Sequence, residues 1–234
     1  MKKLSEASAL ARLQREKTAF QSHVKVNYEP AARDCRVCPT PGVCCTDAHF
    51  VNVHITRLEA VAIRETLRRT PRIDDAARLA VYARARLAVE RYDLRASVAG
   101  DTYRQTYSCP LFAPGVGCLV HARAKPAPCI QHACYDNWEE MPPVALQWRA
   151  ERRVELLNEK TYGAAWAWLP TPLWLSLVDP ASDGAELARL ERVWGARRIA
   201  ATPNNFANSA NSARRAPGGN QRPSRRSLPV IAAR

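Results

Sequence analysis

Eight cysteines carry the most specific chemistry in this 234-residue chain. Four stand at Cys35, Cys38, Cys44 and Cys45 and four at Cys109, Cys118, Cys129 and Cys134, with 63 cysteine-free residues between the groups. Two residues between Cys35 and Cys38 let a tight turn aim both sulfurs at one metal ion, as in zinc knuckles and iron–sulfur loops. Cys44 and Cys45 are adjacent, and adjacent side chains diverge. They either serve two ions or reach different edges of one cluster. Thiolate sets of this kind suit zinc and iron alike, iron–sulfur clusters included, and spacing does not separate the metals. The competing reading is four disulfides, or inert buried thiols, which the even count permits.

Compartment decides between those readings. A chain of this length buries a core without disulfide help, unlike small secreted scaffolds. Lys2 and Lys3 resemble the start of a signal peptide, but Glu6, Arg12, Arg15, Glu16 and Lys17 interrupt the stretch after them. The longest apolar run, Trp166–Val178, contains Pro170 and Pro172 and is too short to span a bilayer. The expectation is a cytoplasmic protein with no membrane association, in which clustered cysteines stay reduced and bind metal. The formal net charge is +13, of which the last 34 residues supply six arginines and no acid. The rest is only mildly basic and lacks the interleaved aromatic and basic residues that stack bases, so nucleic acid is a minor expectation.

The elements that must position the cysteines read as helices. Residues 4–25 place Leu10, Leu13, Phe20 and Val24 on one face. Residues 35–45 form an irregular loop with Pro39, Pro41 and Gly42. A short extended stretch, Phe50–Ile55, leads to Thr56, which with Glu59 has the spacing of a capping box. The helix it opens runs to about Arg69, with Ala60, Ile63 and Leu67 inward. Another follows at 74–95, with Ala76, Ala80, Ala83, Leu87 and Leu94 inward, and the two are expected to be antiparallel and to bring the cysteine groups together. Residues 100–140 are irregular again. A helix at 143–161 buries Leu146, Ala150, Val154 and Leu157, and Trp166–Val178 reads as an extended piece packed on the core. Ser182 or Asp183 caps a last helix reaching Arg198, with Leu187, Leu190 and Trp194 inward. From 201 the chain cannot bury enough apolar surface to offset its ordering entropy and is read as disordered. The fold class expected is mainly α: one small helical domain over 1–200 around an irregular cysteine-rich metal-binding core (35–134), with little or no β, then a basic tail at 201–234.

Five elements in order carry a family resemblance. They are Cys35-x-x-Cys38 with Cys44-Cys45, Val53-His54-Ile55-Thr56-Arg57-Leu58-Glu59, Cys109-Pro110-Leu111-Phe112, Cys118-Leu119-Val120-His121, and Lys125-Pro126-Ala127-Pro128-Cys129. Over residues 35–134 the chain resembles the YkgJ-like cysteine-cluster family, described as zinc- or iron-chelating. It departs in having five residues rather than four between Cys38 and Cys44, His121 in place of Tyr, and Lys125 in place of Arg. The resemblance implies a metal centre of zinc or iron, held by the cysteines, without assigning a reaction. One branch resembles flagellin lysine methylases, so a protein-lysine N-methylase-like enzyme is an alternative, although no glycine-rich cofactor loop accompanies it here. A nucleic-acid-binding adaptor using the arginine tail is another alternative.

Within the metal reading Cys35, Cys38, Cys109 and Cys129 rank first, then Cys44, Cys45 and Cys118, and Cys134 last. His121 and His132 lie among the second group and could ligate or support a ligand, but surface loop histidines are the commoner case. His49 and His54 read as strand surface, and Lys125 as either a thiolate-stabilising cation or a solvated lysine. Trp166, Trp168 and Trp174 read first as core packing. Asp74-Asp75 and Glu139-Glu140 read as helix starts. The partner, protein or small molecule, is left open.

Overall fold

The computed structural model describes residues 3–33, 40, 42–46, 51–95, 106–163 and 168–200. The chain divides into two units, Met1–Arg198 and Ile199–Arg234, and the first holds every described cysteine. Cys35, Cys38, His49, Trp166 and the 201–234 tail lie outside the described residues.

Helix α1 (Glu6–Asn27) starts where the Ser5 hydroxyl accepts from the Ser8 amide at 3.3 Å, satisfying one of the donors that a helix start leaves orphaned. It buries Ala9, Leu13 and Val24, and also Lys17. After β1 (Ala32–Arg33) and a single turn, α2 (Val43–Thr46), comes β2 (His54–Ile55). Helix α3 (Arg57–Arg69) opens on a complete capping box. The Thr56 hydroxyl accepts from the Glu59 amide, and the Glu59 carboxylate accepts from the Thr56 amide. Ala60, Ile63 and Leu67 are buried, as their spacing requires.

Helix α4 (Asp75–Arg91) is capped by Asp74, whose carboxylate accepts from the Ala77 amide at 2.7 Å. Its buried face is Val81, Tyr82, Ala85, Ala88 and Val89, while Leu87 is 64% exposed. The expected face through Leu87 is therefore out of phase. Alanines all round this helix leave its periodicity weak, and the packing partner chooses the face. That partner is α7, not α3, so the expected antiparallel pairing of α3 with α4 gives way to a shared third helix.

The second cysteine region contributes the hairpin β3 (Phe112–Ala113) and β4 (Gly117–Cys118), then α5 (Ala127–Gln131) and β5 (Cys134–Tyr135), which pairs antiparallel with β1. Helix α6 (Val144–Tyr162) follows. Among the described residues of the segment expected to be extended, only β6 (Leu169–Pro170) is a strand, and it pairs with β2. Thr171–Leu177 is helix α7. Pro172 falls in its first turn, where no amide donor is needed. The helix is buried on nearly every side, so it shows no amphipathic period to read. Asp183 accepts from the Ala185 amide at the start of α8 (Ala185–Ala200).

The architecture is thus mainly helical, with three two-residue ladders among the described residues. One core gathers α3, α4 and α7 around Ile63, Leu67, Val81, Leu173 and Trp174. A smaller one joins α1 and α6 to the start of α3 through Ala9, Leu13, Leu58, Val154 and Leu157. Among the described residues no helix is long and apolar enough to cross a membrane.

His54 is not strand surface. It is 6% exposed, because β2 lies between the core and β6. Burial holds its imidazole below the ordinary histidine value, and a backbone hydrogen bond at Asn52 acts weakly the other way. A histidine depressed in the fold contributes stability that is complete above its unfolded value and is lost as pH falls through the folded one. Urea stability is therefore expected to fall below about pH 6.5, by up to roughly 1.4 kcal/mol per pH unit from this group. His121 and His132 titrate in the same direction, with burial the leading cause for each. The diagnostic quantity is accordingly the shallower acid limb of His54→Gln; parallel limbs in the two proteins would exclude the assignment.

Candidate metal centre

Three segments supply five of the six described thiols. Cys44 and Cys45 lie on α2. Cys109 precedes the β3–β4 hairpin and Cys118 ends it. Cys129 sits on α5. The first and second segments are joined directly. The Cys109 amide donates to the Cys45 carbonyl at 2.8 Å, and the Ser108 hydroxyl donates to the Thr46 carbonyl at 2.7 Å.

Gly42 sets the approach of these segments. Its φ is +83°, and an added Cβ would fall within the Phe112 ring. Its carbonyl accepts from the Cys45 and Thr46 amides, so the residue that turns the chain also starts α2. Gly42→Ala is expected to cost about 1–3 kcal/mol from the backbone alone, with displacement of Phe112 adding to that. Thermal unfolding would show the loss, and faster alkylation of Cys45 should accompany it.

Behind Cys109, the Arg84 guanidinium donates twice to the Pro110 carbonyl, at 3.0 and 2.8 Å. Burial draws Arg84 below its usual range, while neighbouring Cys109 acts the other way. Behind Cys129 lies a buried ion pair, Lys17 with Glu59 at 2.7 Å, in side chains 6% and 2% exposed. The Lys17 ammonium also donates to the Lys125 carbonyl at 2.8 Å, just before the turn into α5. Glu59 is the capping-box residue, so one carboxylate starts α3 and anchors the segment that presents Cys129. The sequence offered no signal for this use of Lys17, which was not counted among the inward residues of the expected helix. Its period does match, since Leu10, Leu13, Lys17 and Val24 lie along one stripe.

All six described cysteines are thiols rather than disulfides. Cys45, Cys109, Cys118 and Cys129 are half-buried, whereas Cys44 and Cys134 are exposed. Burial is the leading cause that raises each of the four. Cys45 is pushed up to about 12, with Cys44, Cys129 and Cys118 adding to the rise. Cys109 rises further, with Cys129, Cys118 and Cys45 contributing. Cys129 reaches about 12, opposed by Lys125 and Lys17 and assisted by Cys118. Cys118 also rises, opposed by its backbone bond at Val120 and by Lys125. Lys125 therefore lies near Cys118 and Cys129.

Four of the eight sequence candidates are thus electrostatic neighbours, with Cys44 beside them. Cys134 lies on β5, opposite Arg33 in the β1–β5 ladder, and the Arg33 ion pair with Asp136 closes that edge. Trp174 is fully buried core, as expected, and Trp168 packs on the smaller core. Among the described residues, no three Cys, His, Asp or Glu side chains are gathered tightly enough to hold a metal ion as they stand. The donor chemistry nevertheless fits one. Four soft ligands that burial keeps protonated become acceptable as thiolates when a cation replaces their protons.

No family model, no curated protein and no solved structure matches the chain.

Proposed function

We propose that the chain is a metal-binding protein whose centre is held by Cys45, Cys109, Cys118 and Cys129 and takes zinc or iron, the latter alone or as an iron–sulfur cluster. The single observation that carries this is the direct Cys109–Cys45 backbone bond, at 2.8 Å, that joins two cysteine segments whose thiols, like those of Cys118 and Cys129, are half-buried. Thiolates in such a setting repel one another and are poorly solvated, and a divalent cation relieves both effects. The resemblance to the YkgJ-like cysteine-cluster family supports the same reading. The cation would fix the relative placement of three turn-rich segments that have little regular structure of their own. Arg84, Lys17 and Lys125 would offset the excess negative charge of a four-thiolate centre. Reduced thiols require a reducing compartment, which favours the cytoplasm.

Anaerobic purification followed by elemental analysis and absorption spectroscopy tests the proposal. Stoichiometric zinc in a colourless preparation, or iron with a broad visible charge-transfer band, is the expected result. Metal-free protein that takes up neither ion on reconstitution would refute it. Uptake should also release protons into weakly buffered solution, because the ligands begin as thiols.

A further inference from the structure

We propose that an open cleft between α1, α3 and the segment after Cys118 binds a small amphipathic phosphate monoester. The cleft encloses about 620 Å³, within the roughly 300–1,000 Å³ of small-molecule sites. This site stands apart from the metal reading and does not depend on it.

Two properties of its walls define the ligand. The first is charge. Arg69 and Arg72, at and beyond the end of α3, and Arg123, after β4, all line the cleft. Among the described residues Glu65 is the one carboxylate on the walls, and it is already engaged by Arg68 at 2.8 Å, Arg69 at 3.4 Å and Arg64 at 3.7 Å. Among the described residues Arg72 and Arg123 have no carboxylate partner. Neighbouring His121 is held below its ordinary value first by burial and then by Lys125, with Glu29 opposing and Arg72 adding to the fall. A carboxylate is satisfied by a single guanidinium fork. A phosphate monoester presents three terminal oxygens and close to two charges, which suits several guanidinium groups on different segments.

The second property is the apolar surface between those arginines. Leu10 and Leu13 from α1, with Leu119 and Val120 from the second cysteine region, also line the cleft. Free phosphate would leave them unused, whereas an organic ester with a ring or short chain would cover them. Lys17 reaches the same cleft, but its ammonium is committed to Glu59 and the Lys125 carbonyl, so it is not counted as a ligand group.

The test is calorimetric titration of the full chain with phenyl phosphate near physiological salt, with inorganic phosphate as the parallel probe. Saturable binding of phenyl phosphate with a Kd below about 1 mM is expected. Inorganic phosphate should bind at least about threefold more weakly. The double variant R72E/R123E, altered only at exposed positions, should lose about tenfold or more in affinity while keeping its circular dichroism and thermal midpoint. Failure to saturate, equal affinity for the two probes, or undiminished binding by the charge-reversed variant would each overturn the proposal.

Discussion

Replacing Lys17 with methionine is expected to destabilise the protein by about 3–5 kcal/mol, the usual cost of removing one partner from a buried ion pair. Methionine fills most of the space, so the loss is electrostatic rather than volumetric. It strands the Glu59 carboxylate at 2% exposure, with only the Thr56 amide and hydroxyl still donating to it. It also leaves the Lys125 carbonyl without its donor. Since whole domains are stable by only about 5–15 kcal/mol, this one substitution should move the urea midpoint far. Glu59→Gln should act in the same direction, because it leaves a buried ammonium facing a neutral amide. The double variant K17M/E59Q is expected to lose less than the sum of the singles, since no unpaired charge remains. Losses that simply add, or a Lys17 effect below about 1 kcal/mol, would show that the pair is not the joint between α1, α3 and α5 that its geometry indicates.

The second large effect concerns the thiols. Single serine replacements at Cys45, Cys109, Cys118 and Cys129 should each strip the metal, because three remaining thiolates leave the ion under-coordinated. Where folding is coupled to ligation, the stability at stake is on the order of 10 kcal/mol in small zinc sites. Cys134→Ser, whose residue lies across the β1–β5 ladder, should retain the ion bound by the four. Elemental analysis of the five variants, paired with circular dichroism to identify any that fail to fold, measures this directly. Equal metal loss from Cys134→Ser and Cys109→Ser would mean that the centre extends beyond the four thiols. Full retention by every variant would mean that it lies elsewhere.

The legible parts of this molecule were those governed by local rules. Thr56 and Glu59 announced the start of α3 because a capping box is a short-range hydrogen-bond pattern. Asp74 opens a helix, as read, and the apolar stripes of α1 and α3 fell on their buried faces. The failures were tertiary. Leu87 looked like a core residue by type, but α4 is alanine-rich all round, and contact with α7 selects Val81 and Ala85 instead. Helix α7 hid inside a mostly apolar run, where neither period applies. His54 was misjudged and Lys17 passed over, because polar residues give no sign of burial until their surroundings are known. His54 sits in a buried ladder, and Lys17 meets a carboxylate 42 residues away. The cysteines were recognisable individually. Which of them meet depended on the Cys109–Cys45 backbone bond, across a sequence separation that no spacing rule spans.

The Val53 carbonyl has a bearing on biosynthesis. It accepts from the Tyr107 hydroxyl and from both the amide and the hydroxyl of Thr171, while Tyr107 is itself wholly enclosed. Residues just after the first thiol group, just before the second, and near the C-terminal third therefore meet at one oxygen atom. A nascent chain still lacking Thr171 has translated every cysteine yet cannot close this junction. The two donors that Thr171 supplies can therefore join this oxygen only after all eight cysteines have been translated.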